Sequence, residues 1–251
     1  MINVGITGMS GFVGTHLANK LMLMPEKYNI IPFEDSYFEE DSKLRNFVKQ
    51  CSVIVHLAAM MRSPIEGMVY ETNMRLVNQV IDAMNAENVT PDIFFASSIQ
   101  ENNGSEYARC KLDGKALFID WAREHHAGFG CTVFPNLFGP GARPNSHSFI
   151  ATFCYKLTHG EEPKVLVDNI VTLKYIHSML NDMIPFMEMV IANKSIEQLE
   201  FTPDYNLKVT EVLYYLQRFA KADSEGLMPE LNTQAEHDLY NTFIEYKNYT
   251  L

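Results

Sequence analysis

Positive charge is scarce in this sequence. Its 251 residues include 20 Lys and Arg against 31 Asp and Glu, which gives a formal net charge of −11 at pH 7. A surface of that sign repels the phosphates of nucleic acids and the headgroups of anionic lipids. Long hydrophobic runs are also lacking, since no apolar stretch approaches the roughly 20 residues that a membrane-spanning helix needs. We therefore expect no nucleic-acid partner and no membrane partner.

Cysteine is sparse and shows no paired pattern. The four cysteines lie far apart and form no C-x-x-C motif, which argues against a disulfide framework. No Cys or carboxylate stands at ligand spacing from the pair His125 and His126, so we predict no metal site. Met1 leads directly into an apolar segment without a basic leader, and reduced thiols suit the cytoplasm. These absences together predict a cytoplasmic protein.

Short apolar segments alternate with helical patterns through the first half of the chain. The apolar segments are rich in β-branched and aromatic residues and predict buried strands at 2–7, 28–33, 52–58, 92–98 and 130–136. Between them, apolar positions with a period near 3.6 predict helices at 11–24, 42–50, 70–87 and 107–125. The alternation predicts an α/β fold with a Rossmann-like, doubly wound parallel sheet. Because only about 18 residues separate the second strand from the third, we expect one peripheral strand to be missing.

The alternation ends near Gly139. We therefore divide the chain into a dinucleotide-binding core, 1–139, to which some later segments return, and a small mixed substrate-binding lobe, 140–251. A polar loop rich in Pro and Gly opens this lobe at 140–147. Beyond the loop, the patterns predict a helix at 149–160, strands at 165–169 and 170–176, and two helices between 208 and 251.

The first strand runs into the sequence TGMSGFVG, residues 7–14, and then into a helix. This strand-turn-helix setting is the one that a dinucleotide fingerprint requires. Gly8 allows a tight turn, Gly11 lets the backbone approach a pyrophosphate, and Gly14 lets helix and strand pack closely. We assign the flanking Thr7, Phe12 and Val13 to the same cofactor site. The alternative is a glycine-rich turn that binds nothing.

Two acidic residues, Glu34 and Asp35, follow the second strand. An acid at this position accepts hydrogen bonds from the adenosine ribose hydroxyls and repels a 2′-phosphate, which favours NAD(H) over NADP(H). The alternative is a solvated acidic turn, since the surrounding EDSYFEED stretch is acidic throughout.

The sequence YARCK, residues 107–111, supplies a candidate acid and base. On a helix, the four-residue spacing places Tyr107 and Lys111 on one face. A nearby cation helps a phenol to ionise, and Ser98, at the end of a predicted strand, can hold a carbonyl oxygen where Tyr107 exchanges its proton. A Tyr and a Lys four residues apart also occur by chance in many helices, so the glycine-rich turn upstream strengthens the assignment.

Five motifs in this order resemble the extended short-chain dehydrogenase/reductases, the NAD-dependent epimerase/dehydratase family, over about residues 1–180: TGMSGFVG, HLAA, SSIQ, YARCK and PNLFG. The resemblance implies an active site of Ser98, Tyr107 and Lys111, of which the latter two also contact the cofactor. It implies that Asn136 contacts the diphosphate of a nucleotide sugar. It favours NADP(H), so the choice between NAD(H) and NADP(H) stays open. It also assigns the wall of the cofactor site to Leu57, Ala58 and Ala59.

Within the family, the stretch from PNLFG to FCYKL and the terminal EHDLYNTFIEY resemble the reductase domains of capsular-polysaccharide enzymes that make UDP-N-acetyl-L-fucosamine. This resemblance implies NAD(P)H-dependent reduction of the C4 ketone of a UDP-linked 2-acetamido-2,6-dideoxy-hexos-4-ulose. Such enzymes carry a further cupin domain, which we expect this chain to lack. Arg62 and Arg143 are candidates to grip the diphosphate through their guanidinium forks, although surface arginines are common.

Other functions use the same parts. A nucleotide-sugar epimerase or dehydratase shares this fold, but Ile99 and Gln100 stand where a dehydratase has an acidic pair after the strand-end serine. A catalytically silent NAD(P)-sensing module is the alternative from another class, and the presence of Ser98, Tyr107 and Lys111 argues against it. The resemblance further implies a homodimer formed through a four-helix bundle that includes the Tyr107–His125 helix.

Overall fold

The structure is a computed structural model that describes residues 1–146 and 148–250. His147, at the end of the predicted polar loop, and Leu251, at the end of the predicted lobe, lie outside the described residues. The strands are β1 Ile2–Thr7, β2 Tyr28–Ile31, β3 Val53–His56, β4 Asp92–Ser98, β5 Phe129–Phe134, β6 Asn136–Phe138, β7 Ile170–Tyr175, β8 Ile196–Glu200 and β9 Tyr205–Lys208. The helices are α1 Phe12–Met22, α2 Asp41–Gln50, α3 Met68–Glu87, α4 Glu106–His125, α5 Phe149–Thr158, α6 Ile176–Asn193, α7 Val209–Ser224 and α8 Gln234–Glu245, with 3₁₀ helices at Asp35–Glu39 and Tyr246–Asn248.

The chain divides into two compact units. The first unit contains Met1–Phe134 and Leu180–Phe201, and the second contains Pro135–Met179 and the chain from Thr202 onward. The sequence analysis instead drew one boundary after residue 139 and expected some later segments to return to the core. The assignment of cofactor to one part and substrate to the other stays a prediction.

The first unit is built on a six-stranded sheet in the order β2-β1-β3-β4-β5-β8, in which neighbouring strands are parallel. The chain adds β2 on one side of β1 and β3 on the other, so the winding direction reverses between β1 and β3. Ligands bind at such a switch point in open α/β sheets, outside the carboxyl ends of the strands. The prediction of a doubly wound parallel sheet is confirmed. The strand β2 forms one edge of the sheet.

The core of the first unit follows from the apolar strands and the apolar faces of the helices. Every residue of β3 is buried, as befits a central parallel strand covered on both faces. Aromatic rings fill the space beside the sheet, where Phe33 packs edge-on against Phe38 and Phe47 with ring centroids 5.3 and 4.8 Å apart. This packing stabilises the chain that follows β2, beside the sheet.

Some later residues belong to the first unit, and the sequence analysis did not place them. The strand β8 pairs in parallel with β5, and α6 from Leu180 onward belongs to this unit. The buried carboxylate of Asp92 joins these parts: it accepts hydrogen bonds from Lys194 Nζ at 2.7 Å and from the backbone N–H of Gly128 at 2.8 Å. One ion pair therefore links the start of β4 to the segment after α6.

The second unit has a three-stranded sheet of its own. β7 pairs in parallel with β6 and antiparallel with β9. The carboxylate of Asp204 accepts hydrogen bonds from Lys174 Nζ at 3.0 Å, from the backbone N–H of Tyr175 at 2.8 Å and from Ser178 Oγ at 2.8 Å. This aspartate thus stabilises the junction between β7 and α6.

The predicted strand at 165–169 is wrong. These residues have no regular structure, and Leu166 and Val167 are 91% and 69% exposed. The carboxylate of Asp168 instead accepts hydrogen bonds from the backbone N–H and the hydroxyl of Thr210 at the start of α7, at 3.0 and 2.9 Å. The predicted strand at 170–176 and the predicted helices at 149–160 and in the tail are present as β7, α5, α7 and α8. Across the described residues, none of the helices combines the length and the hydropathy that crossing a membrane demands.

We predict that Asp92→Ala lowers the free energy of unfolding by about 2–3 kcal/mol, because it leaves the N–H of Gly128 without its acceptor and Lys194 without its partner. Urea unfolding at pH 7 measures the change. The matched control is Asp120→Ala, which removes an exposed carboxylate 3.7 Å from Arg123 and is expected to cost less than about 0.5 kcal/mol. An Asp92 variant as stable as the control would contradict the structural role of the ion pair.

Candidate active site

The glycine-rich turn lies at the switch point, between the end of β1 and the start of α1. Gly8 has φ +69°, and a Cβ there would lie 2.8 Å from the backbone nitrogen of Ala58. A Cβ on Gly14 would lie 2.3 Å from the carbonyl oxygen of Gly8. Glycine is therefore required at both positions. The helix begins after Gly11 without a side-chain cap, and Phe12 and Val13 lie in its first turn, so the amides of that turn suit an anion.

The predicted wall of the cofactor site lies against this turn. The hydroxyl of Thr7, at the end of β1, accepts a hydrogen bond from the N–H of Ala58 at 3.3 Å and is hydrogen-bonded to Nδ1 of His56 at 3.0 Å. The N–H of Leu57 donates to the carbonyl of Thr7 at 3.2 Å. Leu57, Ala58 and Ala59 are all half-buried. The glycine-rich turn and the segment after β3 therefore form one cradle in the first unit.

The two acidic residues after β2 are exposed and lie beside the same turn. Ser10 Oγ, within the glycine-rich sequence, donates a hydrogen bond to Asp35 at 3.2 Å. Ser36 Oγ donates to the carboxylate of Glu34 at 3.3 Å. The hydrogen bond from Ser10 places Asp35 beside the glycine-rich turn, which the sequence alone did not indicate.

Tyr107 and Lys111 lie one turn apart near the start of α4. Ser105 caps this helix by accepting a hydrogen bond from the N–H of Ala108 at 3.1 Å. Lys111 is 4% exposed, and its Nζ lies 5.4 Å from the ring centroid of Tyr107 and 4.8 Å from that of Phe95. Among residues 1–146 and 148–250, no carboxylate lies within ion-pair distance of Lys111. Aromatic rings, rather than an anion, surround this buried cation.

Burial controls the protonation of the site. It raises the pKa of Tyr107 to about 12, so burial outweighs the help to ionisation that the sequence analysis expected from Lys111. It also lowers the pKa of Lys111 to about 8. Burial, followed by the charge of Lys111, lowers the pKa of His56 to about 3. At neutral pH the site therefore holds a neutral phenol, a lysine that is mainly charged and a neutral imidazole.

Ser98 is the last residue of β4 and is half-buried. Its Oγ accepts a hydrogen bond from the N–H of Gln100 at 3.2 Å, which leaves its own proton for donation to another acceptor. Its neighbour Ser97 is buried and donates instead to the carboxylate of Glu101. The two serines of the SSIQ motif therefore have different environments, and Ser98 is the one suited to bind a ligand.

The candidate substrate residues are divided between the units. Arg62 is exposed and belongs to the first unit, in the segment between β3 and α3. Asn136 and Arg143 are exposed residues of the second unit, where Asn136 Nδ2 donates to the carbonyl of Thr172 at 3.1 Å. The catalytic and cofactor candidates, by contrast, all belong to the first unit.

The sequence analysis missed the side chain that holds the cofactor wall in place. Asn73, in α3, accepts a hydrogen bond from the N–H of Met60 at 2.7 Å and donates to the carbonyl of the same residue at 2.8 Å. Its Nδ2 also lies 3.2 Å from Cys110 Sγ, beside Lys111 in α4. The sequence offered one sign of this role, since Asn73 is a polar residue on the otherwise apolar face of α3. Within the part of the chain that the structure describes, no group of three or more His, Cys, Asp or Glu side chains could hold a metal.

A family model described as the NAD dependent epimerase/dehydratase family matches residues 4–206. The chain belongs to this family. The family resemblance seen in the sequence is thereby confirmed, and the chain is an enzyme of an NAD(P)-dependent class.

Individual relatives agree with this assignment. The chain is 24% identical to the UDP-2-acetamido-2,6-beta-L-arabino-hexul-4-ose reductase of Pseudomonas aeruginosa, over 98% of this chain and 65% of that protein. It is similar to the capsular polysaccharide assembling protein CapF from Staphylococcus aureus, with a TM-score of 0.78 and 27% identity over 99% of this chain and 67% of that one. UDP-N-acetylglucosamine 4-epimerase from Bacillus cereus shares the fold, with a TM-score of 0.77 and 16% identity over 100% and 98% of the two chains. The chain thus spans about two thirds of the first two relatives.

We predict that Lys111→Met stabilises the fold at pH 7 by about 1–3 kcal/mol, because it removes a charge that is buried without a counter-ion. Below pH 8 the folded protein keeps the buried charge and its full cost. Between pH 8 and 10.5, the folded protein loses this proton while the unfolded chain keeps it, so the wild type gains stability with pH and the advantage of the variant shrinks.

Denaturant unfolding of the two proteins at pH 7 and pH 9.5 measures this difference. Lys221→Met, at an exposed position of α7, is the control and is expected to show neither the gain at pH 7 nor its decline. A Lys111→Met variant less stable than the wild type at pH 7 would show that the cation has a partner stronger than the aromatic rings.

Proposed function

We propose that this chain is an NAD(P)H-dependent reductase of the C4 ketone of a UDP-linked 2-acetamido-2,6-dideoxy-hexos-4-ulose, acting in the synthesis of a bacterial surface polysaccharide. The observation that carries the proposal is the buried Lys111 cation 5.4 Å from the Tyr107 ring, in the unit that contains the glycine-rich cradle. The reductase activity of the Pseudomonas relative supports the choice of substrate.

The residues of the cradle fit a nicotinamide dinucleotide. Gly8 and Gly14 permit the tight turn and the close approach of its backbone, since a Cβ at either position would overlap neighbouring backbone atoms, and the turn leads into the uncapped start of α1. When bound, the reduced cofactor supplies a hydride to the carbonyl carbon of the sugar. The remaining chemistry, which is proton transfer and the positioning of the oxygen, belongs to side chains of this chain.

Tyr107 is suited to donate the proton that reduction requires. Its raised pKa keeps the phenol protonated at neutral pH, so a proton is available for the carbonyl oxygen as the hydride arrives at carbon. Lys111 then offsets the negative charge that remains on the phenolate, in surroundings of low polarity where such an interaction is strong. Ser98 donates a hydrogen bond from Oγ to the same carbonyl oxygen and holds it in line with Tyr107.

We propose Arg62, Asn136 and Arg143 as candidates to bind the diphosphate of the substrate. Guanidinium groups bind diphosphates through paired hydrogen bonds, and the overall charge of −11 requires local cations for an anionic substrate.

Dehydration and epimerisation are the rival activities of the same fold. A dehydratase needs a free acid next to the strand-end serine, but Ile99 and Gln100 stand there and the carboxylate of Glu101 is bound by Lys115 and Ser97. This contact favours reduction over dehydration. The assay described next distinguishes a reductase from an epimerase and from a silent NAD(P)-sensing module, because only the reductase oxidises the reduced cofactor.

We predict that the wild type oxidises NADH or NADPH in the presence of a UDP-4-keto-6-deoxy-N-acetylhexosamine, and that Tyr107→Phe lowers kcat by about 10²–10⁴-fold. The phenylalanine fills the same space but has no proton to donate. Absorbance at the reduced-nicotinamide band follows the reaction, and tryptophan or nicotinamide fluorescence measures whether the variant still binds the cofactor.

Tyr214→Phe, at an exposed position in α7, is the matched control and is expected to keep full activity. Cofactor binding without oxidation in the wild type would contradict the reductase assignment. In that case, conversion of the sugar without net oxidation would identify an epimerase or dehydratase, and no conversion would identify a sensing module.

Cofactor preference follows from the acidic pair, and we propose NADH. Asp35→Asn and Glu34→Gln are each expected to raise the kcat/KM ratio of NADPH to NADH by about fivefold to tenfold, since one repulsive charge near the surface is worth roughly 1 kcal/mol. The control is Glu39→Gln, which removes an acid of the same 3₁₀ segment that pairs with Arg75 at 3.4 Å. A wild type that prefers NADPH, or variants that match the control, would overturn this preference.

The cytoplasmic location and the homodimer stay predictions. Sedimentation equilibrium of the purified chain tests the dimer, and cell fractionation tests the location.

A further inference from the structure

We propose that Glu101 and Lys115 are positioning residues that fix Ser98 relative to Tyr107. The inference rests on the proposed function for the roles of those two residues. The turn between β4 and α4, residues 99–105, separates the serine from the tyrosine along the chain. Any change in the path of this turn alters the distance between the group that holds the carbonyl oxygen and the group that protonates it.

The side chain of Glu101 is held from two directions. Lys115 Nζ donates to its two carboxylate oxygens at 3.2 and 3.1 Å, and Ser97 Oγ donates to one of them. The side chains of Glu101 and Lys115 are 13% and 17% exposed. Partial burial weakens solvent screening, so the pair is expected to constrain the chain more than an exposed ion pair does.

These contacts reach both sides of the candidate active site. Ser97 precedes Ser98 in β4, and the N–H of Glu101 donates to the carbonyl of Ser98 at 2.9 Å. Lys115 lies on α4, one turn beyond Lys111 and two turns beyond Tyr107. The ion pair therefore connects the end of the strand that carries the serine with the helix that carries the tyrosine.

A direct chemical role for Glu101 fits these contacts poorly. A general acid or base needs a lone pair or proton directed at the substrate, whereas both oxygens of this carboxylate accept hydrogen bonds from Lys115. Lys115 is further held by Gln198 Oε1 at 3.3 Å, on β8. The cluster is thus anchored to the sheet on one side and to the helix on the other.

The test compares Glu101→Gln and Lys115→Met with Lys115→Arg, which restores the charge. We expect the first two to lower kcat by about 10–100-fold, as misplacement of reacting groups by an ångström does, while the KM for the reduced cofactor changes by less than about twofold. Lys115→Arg should retain kcat within about threefold. Glu87→Gln, which removes a carboxylate 3.1 Å from Lys49 at the end of α3, is the matched control and should change neither constant.

Amide hydrogen exchange of the wild type and variants gives a readout that does not depend on activity. We expect exchange in residues 99–105 to quicken in Glu101→Gln and Lys115→Met but not in Glu87→Gln. If the wild type reduces no 4-keto sugar while exchange quickens as expected, the pair still fixes the turn and the proposed function fails instead. The positioning role would be overturned by any of three results in Glu101→Gln and Lys115→Met: exchange in residues 99–105 that is unchanged, a kcat that is unchanged in an active enzyme, or a rise in the KM for the cofactor as large as the fall in kcat.

Discussion

The parallel register of β1, β3 and β4 aligns three side chains across the sheet, and the candidate site depends on that alignment. Thr7 is paired with His56, and His56 with Phe95. The imidazole is hydrogen-bonded to the threonine hydroxyl and stacks on the Phe95 ring at 6.0 Å between centroids, while Lys111 Nζ lies 4.8 Å from the same ring. A slip of one residue in either pairing would turn these side chains to the opposite face of the sheet. Because of this register, a continuous series of contacts runs from Thr7, at the start of the glycine-rich turn, to the buried Lys111.

The side chains of His56 and Phe95 explain the pKa values in the site. A phenyl ring and a neutral imidazole offer Lys111 no anion, and the cost of removing its charge from water lowers its pKa to about 8. Burial opposes protonation of His56 and, to a smaller extent, so does the charge of Lys111, which is why the pKa of His56 falls to about 3. Lys111 is consequently a cation whose charge is not cancelled within the first unit. Under the proposed function, the charge that it offsets is the one that forms on Tyr107 during reduction.

Sequence periodicity predicted the central elements because burial imposes a clear pattern on them. The strands β1, β3 and β4 are mostly apolar and mostly buried, and α3 and α4 have apolar faces with regular spacing. The strand β8 was missed because it is an edge strand, with exposed acidic residues among its five positions. The false strand at 165–169 shows the opposite error, in which apolar residues without a partner strand remain exposed. Periodicity reports burial against a neighbouring element, and in these two segments the pattern and the neighbours disagree. The helix α6 and the short strand β9 were not predicted either.

The candidate site was predictable to the extent that its residues lie in motifs. The glycines and the Tyr–Lys spacing are local signals. Asn73, Glu101 and Lys115 instead act through contacts between residues 13 to 37 positions apart, and a single sequence does not show which distant residues meet. The turn between β4 and α4 is where this matters most. A carboxylate in this turn is chemically able to serve as an acid, but here it is bound to a lysine on the following helix. Whether Glu101 can react as an acid or only supports the structure therefore depends on its ion pair with Lys115. This ion pair favours the reductase proposal over the dehydratase alternative.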